Sequence, residues 1–154
     1  MRKRLMTQNR SATDHRWLDL EKLAQVEVTS EDASHPIEFA LLPGASGAWH
    51  AADPGEQRVR LIFDQPQKIN RIFLVFEETE LGRSQEFALR WSSNADAPYH
   101  EIVRQQFNFS PPGTIVERED YRVQLQNVSV LELQIFPDRG TTTRIASLTQ
   151  LRVA

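Results

Sequence analysis

The chain has 154 residues, of which 40% are hydrophobic and 25% charged, with a net charge of −3 at pH 7 and no cysteine. This length fits one domain better than two and supplies a core without disulfides or metal. The lack of cysteine excludes a disulfide scaffold, thiol chemistry and Cys-ligated zinc, and the mildly acidic balance argues against nucleic acid or anionic membranes as partners.

Residues 1–16 form a polar, charged segment without apolar periodicity, and the pattern changes at Trp17. We predict a disordered or loosely packed leader over 1–16 and a single domain over 17–154. The leader begins with basic residues but lacks the apolar stretch of a secretory signal. The longest apolar run, 72–76, is far shorter than the ~20 residues that span a bilayer. The expected location is therefore cytoplasmic, with no membrane partner.

From Trp17 onward the pattern is that of β-structure. Apolar and polar residues alternate in 58–63, where Val59, Leu61 and Phe63 share one face, and again in 86–91, as in half-buried strands. Eight strands are predicted, at 24–29, 58–63, 69–77, 86–91, 100–109, 121–126, 130–136 and 147–153. Short helices are predicted only at 17–23 and 36–42. Eight short strands with little helix indicate an all-β, antiparallel jelly-roll sandwich.

Strand direction locates a candidate binding site. If successive strands are antiparallel, the loops at 30–56, 78–84, 110–120 and 138–145 lie at one end of the sandwich. The shorter connections at 64–68, 92–99 and 127–129 lie at the other end. Long loops held by a rigid scaffold commonly carry binding function. We therefore expect the site at the long-loop end, formed by Trp49, His50, Glu80 and Arg83.

Several motifs follow one another in a characteristic order. A serine-containing opening at 29–36 leads to the stretch WHAADPGEQ, which starts at Trp49 in a long first loop. A strand ending in Ile62-Phe63-Asp64 follows, then Pro66 and the apolar strand 69–76. This order resembles the galactose-binding-like, discoidin or coagulation-factor C-type jelly rolls, and 146–153 is similar to the last strand of that family, which returns beside the first. The resemblance covers about Gln25 to the C terminus and implies an eight-stranded galactose-binding-like sandwich.

The stretch from Trp49 to Gln57 is also similar to the N-terminal domain of the X-ray-repair scaffold protein, which has the same fold and binds a DNA polymerase. Two features of the wider family are missing here: the cysteine pair of secreted members, and the exposed apolar loop tips with which clotting factors bind membranes. The resemblance implies a non-catalytic module that binds a carbohydrate or another polar ligand at its loops. The alternative is an intracellular protein-interaction or repair-scaffold domain that uses an exposed sheet face.

Trp49 and His50 are candidate ligand-binding residues in the first long loop. The indole can stack on a sugar face or a base while the neighbouring imidazole forms a hydrogen bond. A tryptophan at this position can equally close the end of the sandwich as part of the core. Both interpretations of Trp49 remain open from the sequence.

Arg83 and Glu80 are the candidates in the second long loop. A guanidinium is planar and has five donors, so it can clamp two hydroxyls or a carboxylate of a ligand, with Glu80 beside it. The alternative for Arg83 is a salt bridge within the loop, to Glu78 or Glu80. The sequence favours the two interpretations about equally.

The sequence gives little support to metal or catalytic sites. The acidic run 77–80 lies on one loop, whereas glycoside hydrolysis needs two carboxyl groups that face each other across a cleft. Members of the resembled family often hold a structural calcium at the first loop, near Asp32, Asp53 and Glu56 here, but no EF-hand-like spacing is present. The four histidines lack the paired spacing of a zinc site. We predict no catalytic residue, no metal site and no cofactor.

Arginines recur on the strand faces opposite the predicted core, at Arg58, Arg60, Arg71 and Arg90. Such a row can bind phosphate groups. Pairing across strands with Glu86 and Glu132 accounts for the same residues, and we favour it.

Overall fold

The computed structural model describes residues 1, 17–94 and 96–154. These residues form, in chain order, α1 (Leu20–Leu23), β1 (Ala24–Val28), α2 (Glu38–Leu41), β2 (Trp49–Pro54), β3 (Gln57–Glu77), β4 (Arg83–Ser92), β5 (His100–Phe109), β6 (Val116–Phe136), β7 (Ile145–Leu148) and β8 (Gln150–Val153). The predicted leader, 1–16, lies outside the described residues apart from Met1. Within the described ranges, no helix is long and apolar enough to cross a membrane.

Two long strands, β3 and β6, belong to both layers of the sandwich. Each runs through one layer, bends, and continues in the other. They are antiparallel partners along most of their length, from Gln57 opposite Ile135 to Glu77 opposite Val116. Register shifts after Ile62 mark the bend, where a local irregularity in pairing turns the strands without ending them.

The other strands complete two layers on either side of this bend. The first layer has the order β1-β3-β6-β4-β5 and uses the N-terminal part of β3 and the C-terminal part of β6. In the second layer, β8 pairs with the C-terminal part of β3, and the N-terminal part of β6 pairs with it on the other side. A separate ribbon joins β2 to β7. All these pairs are antiparallel, so the all-β, antiparallel sandwich predicted from the sequence is confirmed.

The structure corrects the extent of several predicted elements. The strands predicted at 58–63 and 69–77 form one strand, β3, and those at 121–126 and 130–136 form β6. The strand predicted at 147–153 is divided at Thr149, whose N–H donates to the carbonyl of Val75 over 2.9 Å. Strand β2 was not predicted, because its sequence WHAADP is rich in residues that are uncommon in strands. Both predicted helices are present but shorter.

One hydrophobic core fills the space between the layers. The alternation seen in the sequence correctly identifies the inward faces of β3 and β4, which bury Val59, Leu61, Phe63, Phe87 and Leu89. The rings of Phe76 and Phe87 pack with their centroids 5.3 Å apart. Full burial of a large apolar side chain contributes about 1.5–3 kcal/mol, so this core is a main source of the stability of the sandwich.

The outer face of the first layer carries paired charges. Glu132 points away from the core, yet it is fully buried because two arginines bind it from neighbouring strands. Arg60 donates from Nη2 to Oε2 over 2.7 Å, and Arg90 donates from Nε to Oε1 over 3.0 Å. The ring of Tyr99 covers the pair, 4.6 Å from Cζ of Arg90. Cross-strand pairing is therefore confirmed for these two arginines.

Candidate functional site

A cleft of about 510 Å³ opens at the long-loop end of the sandwich. Three of the four long loops contribute to its wall: the first through Ala48 and His50, the second through 77–83, and the last through 143–145. Ser147 and Thr149 complete it. The fourth long loop, 110–120, does not line the cleft. The argument from strand direction thus correctly places His50, Glu80 and Arg83 at one site.

Glu78 organises the second loop around its carboxylate. Oε2 accepts the backbone N–H groups of Glu80 and Leu81, at 3.1 and 3.3 Å, while Oε1 accepts Nε of Arg83 at 2.7 Å. Partial burial opposes ionisation of Glu78, but these hydrogen bonds outweigh it and hold its pKa below the ordinary value. The loop that carries Glu80 and Leu81 is therefore fixed from within.

Arg83 lies under this loop rather than at the surface. Its side chain is only 1% exposed, and Nη1 donates to Oε1 of Gln85 and to the carbonyl of Pro137, at 2.9 and 2.8 Å. The guanidinium also lies over the ring of Phe109, 4.7 Å from its centroid. Of the two interpretations of Arg83, the internal salt bridge is the one observed, with Glu78 as partner. Arg83 contributes to the wall of the cleft chiefly by positioning other groups.

Trp49 is a core residue, which corrects its assignment as an aromatic platform. The side chain is fully buried, and Nε1 donates to the carbonyl of Ser30 over 3.2 Å. Trp49 opens β2 opposite Leu148 of β7, so alternation turns it inward while the next residue, His50, turns towards the cleft. The indole therefore closes the end of the sandwich and offers no face to a ligand.

His50 is held in the wall of the cleft by a second imidazole. The rings of His35 and His50 are parallel within 2°, with centroids 3.9 Å apart. Nδ1 of His35 is 2.6 Å from Oδ2 of Asp32, and this hydrogen bond lowers the pKa of the Asp32 carboxyl. Burial and, secondly, the neighbouring His35 lower the pKa of His50, so His50 is neutral near pH 7. A neutral imidazole can both donate and accept a hydrogen bond.

Glu80 lies at the mouth of the cleft with an exposed carboxylate. The same is true of Glu77, at the end of β3. Neither carboxylate forms a hydrogen bond or ion pair with a residue that the structure describes. Of the four predicted site residues, Glu80 and His50 are therefore the two whose polar groups are accessible from the cleft. Their role in binding stays a prediction.

Two aliphatic residues at the rim were not predicted. Apart from Met1, the large hydrophobic side chains that are exposed in the described part of the chain are Leu81 and Ile145, at 44% and 42%. Both line the cleft, one on the second loop and one on the last. Exposed apolar residues that cluster at a concave site indicate a binding surface. In the sequence, a lone Leu and a lone Ile in polar loops gave no such signal.

A buried polar row, formed by Arg83, Gln85 and Glu117, extends from the cleft into the sandwich. Gln85 and Glu117 are each at least 99% buried, and Nε2 of Gln85 donates to Oε1 of Glu117 over 3.1 Å. Burial, together with the neighbouring Glu119, raises the pKa of Glu117 to about 8. Oε2 of Glu117 and the hydroxyl of Tyr121 are buried without a hydrogen-bond partner among the described residues. Of the three, Arg83 is the residue that lines the cleft.

The residues weighed as calcium ligands do not form a ligand set in the described part of the structure. Among those residues, no group of three His, Cys, Asp or Glu side chains is placed to hold a metal ion. Asp32 is bound to His35, and the carboxylate of Glu56 contacts Arg58, 3.6 Å away. That the protein needs no metal stays a prediction.

No protein-family model matches the chain, and no curated protein matches it. Solved structures do match it. CBM32-3, from a family 31 glycoside hydrolase of Clostridium perfringens, is 18% identical, with a TM-score of 0.68 over 92% of this chain and 96% of its own. The module CpGH89CBM32-5 of the same organism, in complex with GalNAc-β-1,3-galactose, is 16% identical, with a TM-score of 0.66 over 89% and 98% of the two chains.

A third similar structure is the CBM32 of AlyQ in complex with 4,5-unsaturated mannuronic acid, which is 16% identical with a TM-score of 0.64 over 91% of this chain and 98% of its own. These proteins are carbohydrate-binding modules with the galactose-binding-like, discoidin-type jelly roll. The fold implied by the sequence resemblance is thereby confirmed. Because identities are this low and a fold hosts many functions, the likeness establishes the fold alone.

Proposed function

We propose that this protein is a non-catalytic carbohydrate-binding module whose ligand occupies the cleft. The observation that carries the proposal is the composition of the wall. It combines exposed aliphatic side chains, Leu81 and Ile145, with polar groups from three loops around a space of about 510 Å³. A sugar ring has the complementary character, with apolar C–H faces and a rim of hydroxyls.

The polar groups of the wall match hydroxyl groups in kind. Carboxylates accept hydrogen bonds, and a neutral imidazole or a threonine or serine hydroxyl can donate or accept. The wall supplies His50, Glu80, Thr143, Ser147 and Thr149 for these roles. Their mixture of donors and acceptors fits an uncharged polyol better than an apolar ligand.

The known relatives in fold support the same class of ligand. A family 32 module from Clostridium perfringens is in complex with galactose, and CpGH89CBM32-5 is in complex with GalNAc-β-1,3-galactose. This support is by analogy of fold, and the cleft itself remains the main argument.

A binding role without catalysis is supported by the placement of the acids. The acids that line the cleft, Glu77, Glu78 and Glu80, lie within four consecutive residues, and Glu78 is bound by Arg83 and by loop amides. Glycoside hydrolysis requires two carboxyl groups on opposite sides of the scissile bond. The last loop lines the cleft with Thr143, Arg144 and Ile145, which supply no second carboxyl.

Binding can be tested on the full chain with a glycan array, followed by titration calorimetry of the hits. We expect His50→Ala and Ile145→Ala each to weaken binding at least tenfold, because both side chains line the cleft. Arg104→Ala is the control, since Arg104 lies on the outer face of the first layer, where it pairs with Glu86. If no glycan binds, or if binding is indifferent to the two cleft substitutions, the proposal fails.

A second candidate function, docking of an acidic protein partner on a sheet face, is favoured by one observation. On the outer face of the second layer, Arg71 forms a bidentate salt bridge with Asp120. On the same strand as Asp120, Arg118 and Arg122 are exposed, and neither forms a salt bridge with a described residue. A pull-down from cell lysate with the wild type and with Arg118→Ala/Arg122→Ala tests this: a specific partner captured only by the wild type supports it.

A further inference from the structure

The charges that line the cleft do not balance. Five charged residues contribute to its wall: Glu77, Glu78, Glu80, Arg83 and Arg144. Which of these remain unpaired decides which charge a ligand would meet.

The two guanidinium groups of the wall differ in how they are paired. Arg83 is bound to Glu78 at 2.7 Å, with only 1% of its side chain exposed. Nε of Arg144 lies 3.8 Å from Oδ2 of Asp138, and the Arg144 side chain is 38% exposed. This nitrogen has no hydrogen-bond partner among the described residues. The third candidate cation, His50, is neutral near pH 7. Of the two guanidinium groups, that of Arg144 is therefore the one that a ligand can contact.

Two acids of the wall are unpaired. The carboxylates of Glu77 and Glu80 are exposed at the mouth of the cleft and have no hydrogen-bond or ion-pair partner among the described residues. The rim beside them is aliphatic, through Leu81 and Ile145. Since no Phe, Tyr or Trp is among the described residues of the wall, a bound cation would be stabilised by these carboxylates and not by an aromatic face.

We propose that the cleft selects sugars that carry a free amino group over neutral sugars. This inference rests on the proposed function, because it specifies the ligand of the same cleft. The apolar face of an amino sugar packs on Leu81 and Ile145, and its ammonium group lies at the mouth between Glu77 and Glu80.

The size of the preference follows from the exposure of the two acids. An exposed ion pair contributes about 0.2–1 kcal/mol. With two carboxylates this corresponds to an affinity difference of about two- to thirtyfold, and it should decrease as salt screens the charges.

The experiment uses matched monosaccharides that differ in one group: glucosamine, glucose and glucuronic acid, and the same three of the galacto series. Affinities are measured with the full chain by NMR titration at about pH 7, where an amino group of ordinary pKa is largely protonated and His50 is neutral, at low salt and at about 0.5 M salt. The variant is Glu77→Gln/Glu80→Gln. The control, Asp64→Asn/Asp96→Asn, removes the same charge from two exposed positions that do not line the cleft.

Three results are informative. If the amino sugar binds most tightly, and its advantage disappears in the Glu77→Gln/Glu80→Gln variant but not in the control, the inference holds. If neutral sugars bind in the cleft but the amino group gives no advantage, or the advantage survives the substitutions, the inference is overturned while the proposed function stands. If no sugar binds in any charge state, both fail together.

Discussion

Arg83 and Glu78 form an ion pair beneath the second loop, with Nε and Oε1 2.7 Å apart. Because the arginine side chain is buried, we expect Arg83→Ala to lower the free energy of unfolding by about 3 kcal/mol or more, since it leaves acceptors on Glu78, Gln85 and Pro137 without their donor. Urea denaturation followed by circular dichroism measures the difference.

The matched control is Arg104→Ala, which removes a guanidinium that is 42% exposed and pairs with Glu86 and Glu101. Exposed pairs contribute about 0–1 kcal/mol, so this variant should unfold close to the wild type. Equal losses for the two substitutions would contradict the structural role assigned to Arg83.

Trp49→Ala should cost about 3–5 kcal/mol of stability, as expected for truncation of a buried tryptophan. Trp49→Phe should cost less, because it keeps an aromatic ring in the core and loses chiefly the hydrogen bond to Ser30. The measurement is again urea denaturation. A near-neutral Trp49→Ala would place the indole at the surface and restore it as a candidate ligand platform.

Glu117 should make the stability depend on pH. Its pKa is about 8 in the folded protein, against an ordinary value of 4.5, so between these values the folded state keeps a proton that the unfolded chain has lost. The free energy of unfolding should therefore fall as the pH rises from about 4.5 to 8, by at most about 1.4 kcal/mol per pH unit, and level off above that.

Glu117→Gln tests the origin of this dependence, because glutamine resembles the protonated acid and never ionises. The variant should be more stable than the wild type near pH 8 and should lose that part of the pH dependence. Asp64→Asn, at an exposed position, should leave the pH dependence of the stability unchanged. A wild type whose stability does not fall between pH 5 and 8 would show that Glu117 is charged in the fold.

His50 should titrate below 6.5, its ordinary pKa, because burial and then the stacked His35 disfavour the imidazolium. NMR of the imidazole C–H signals measures the midpoint. His35→Ala should move the midpoint back towards 6.5 without reaching it, since burial is the larger cause. As the pH falls below about 6.5, the unfolded chain binds this proton first, so His50 should lower the stability in acid. A midpoint at or above 6.5 would contradict the packing described for the two rings.

Strand periodicity was the most reliable guide in the sequence. The alternation that places Phe87 and Leu89 in the core extends towards the start of β4. Gln85 and Arg83 lie on the same face of the strand and are also buried. The signal that Arg83 points inward was therefore present. Its burial was not inferred because an arginine in a polar segment is usually exposed, although the salt bridge to Glu78, five residues away, was one of the two interpretations of Arg83.

Other features depend on contacts that a local pattern does not encode. Residues 64–68 contain a proline and polar residues typical of a turn. They nevertheless belong to β3, which is paired with β6 before and after this segment, with shifts in register. Leu81 and Ile145 become a pair at the rim only when two loops 64 positions apart meet at the cleft. The end of the sandwich at which the cleft lies was predictable from strand direction. Which residues form its wall depends on how the loops pack together in the folded protein.

The shared strands β3 and β6 also determine the order in which this chain can fold as it is synthesised. The apolar face of β3 is complete when residue 77 has been made, but its main partner, β6, ends only at residue 136. Pairing over such sequence distances is slow, and an unpaired apolar strand is prone to aggregate. We therefore expect nascent chains that end before β6 to depend on chaperones or to be degraded, and any viable truncation of this protein to retain β6 whole.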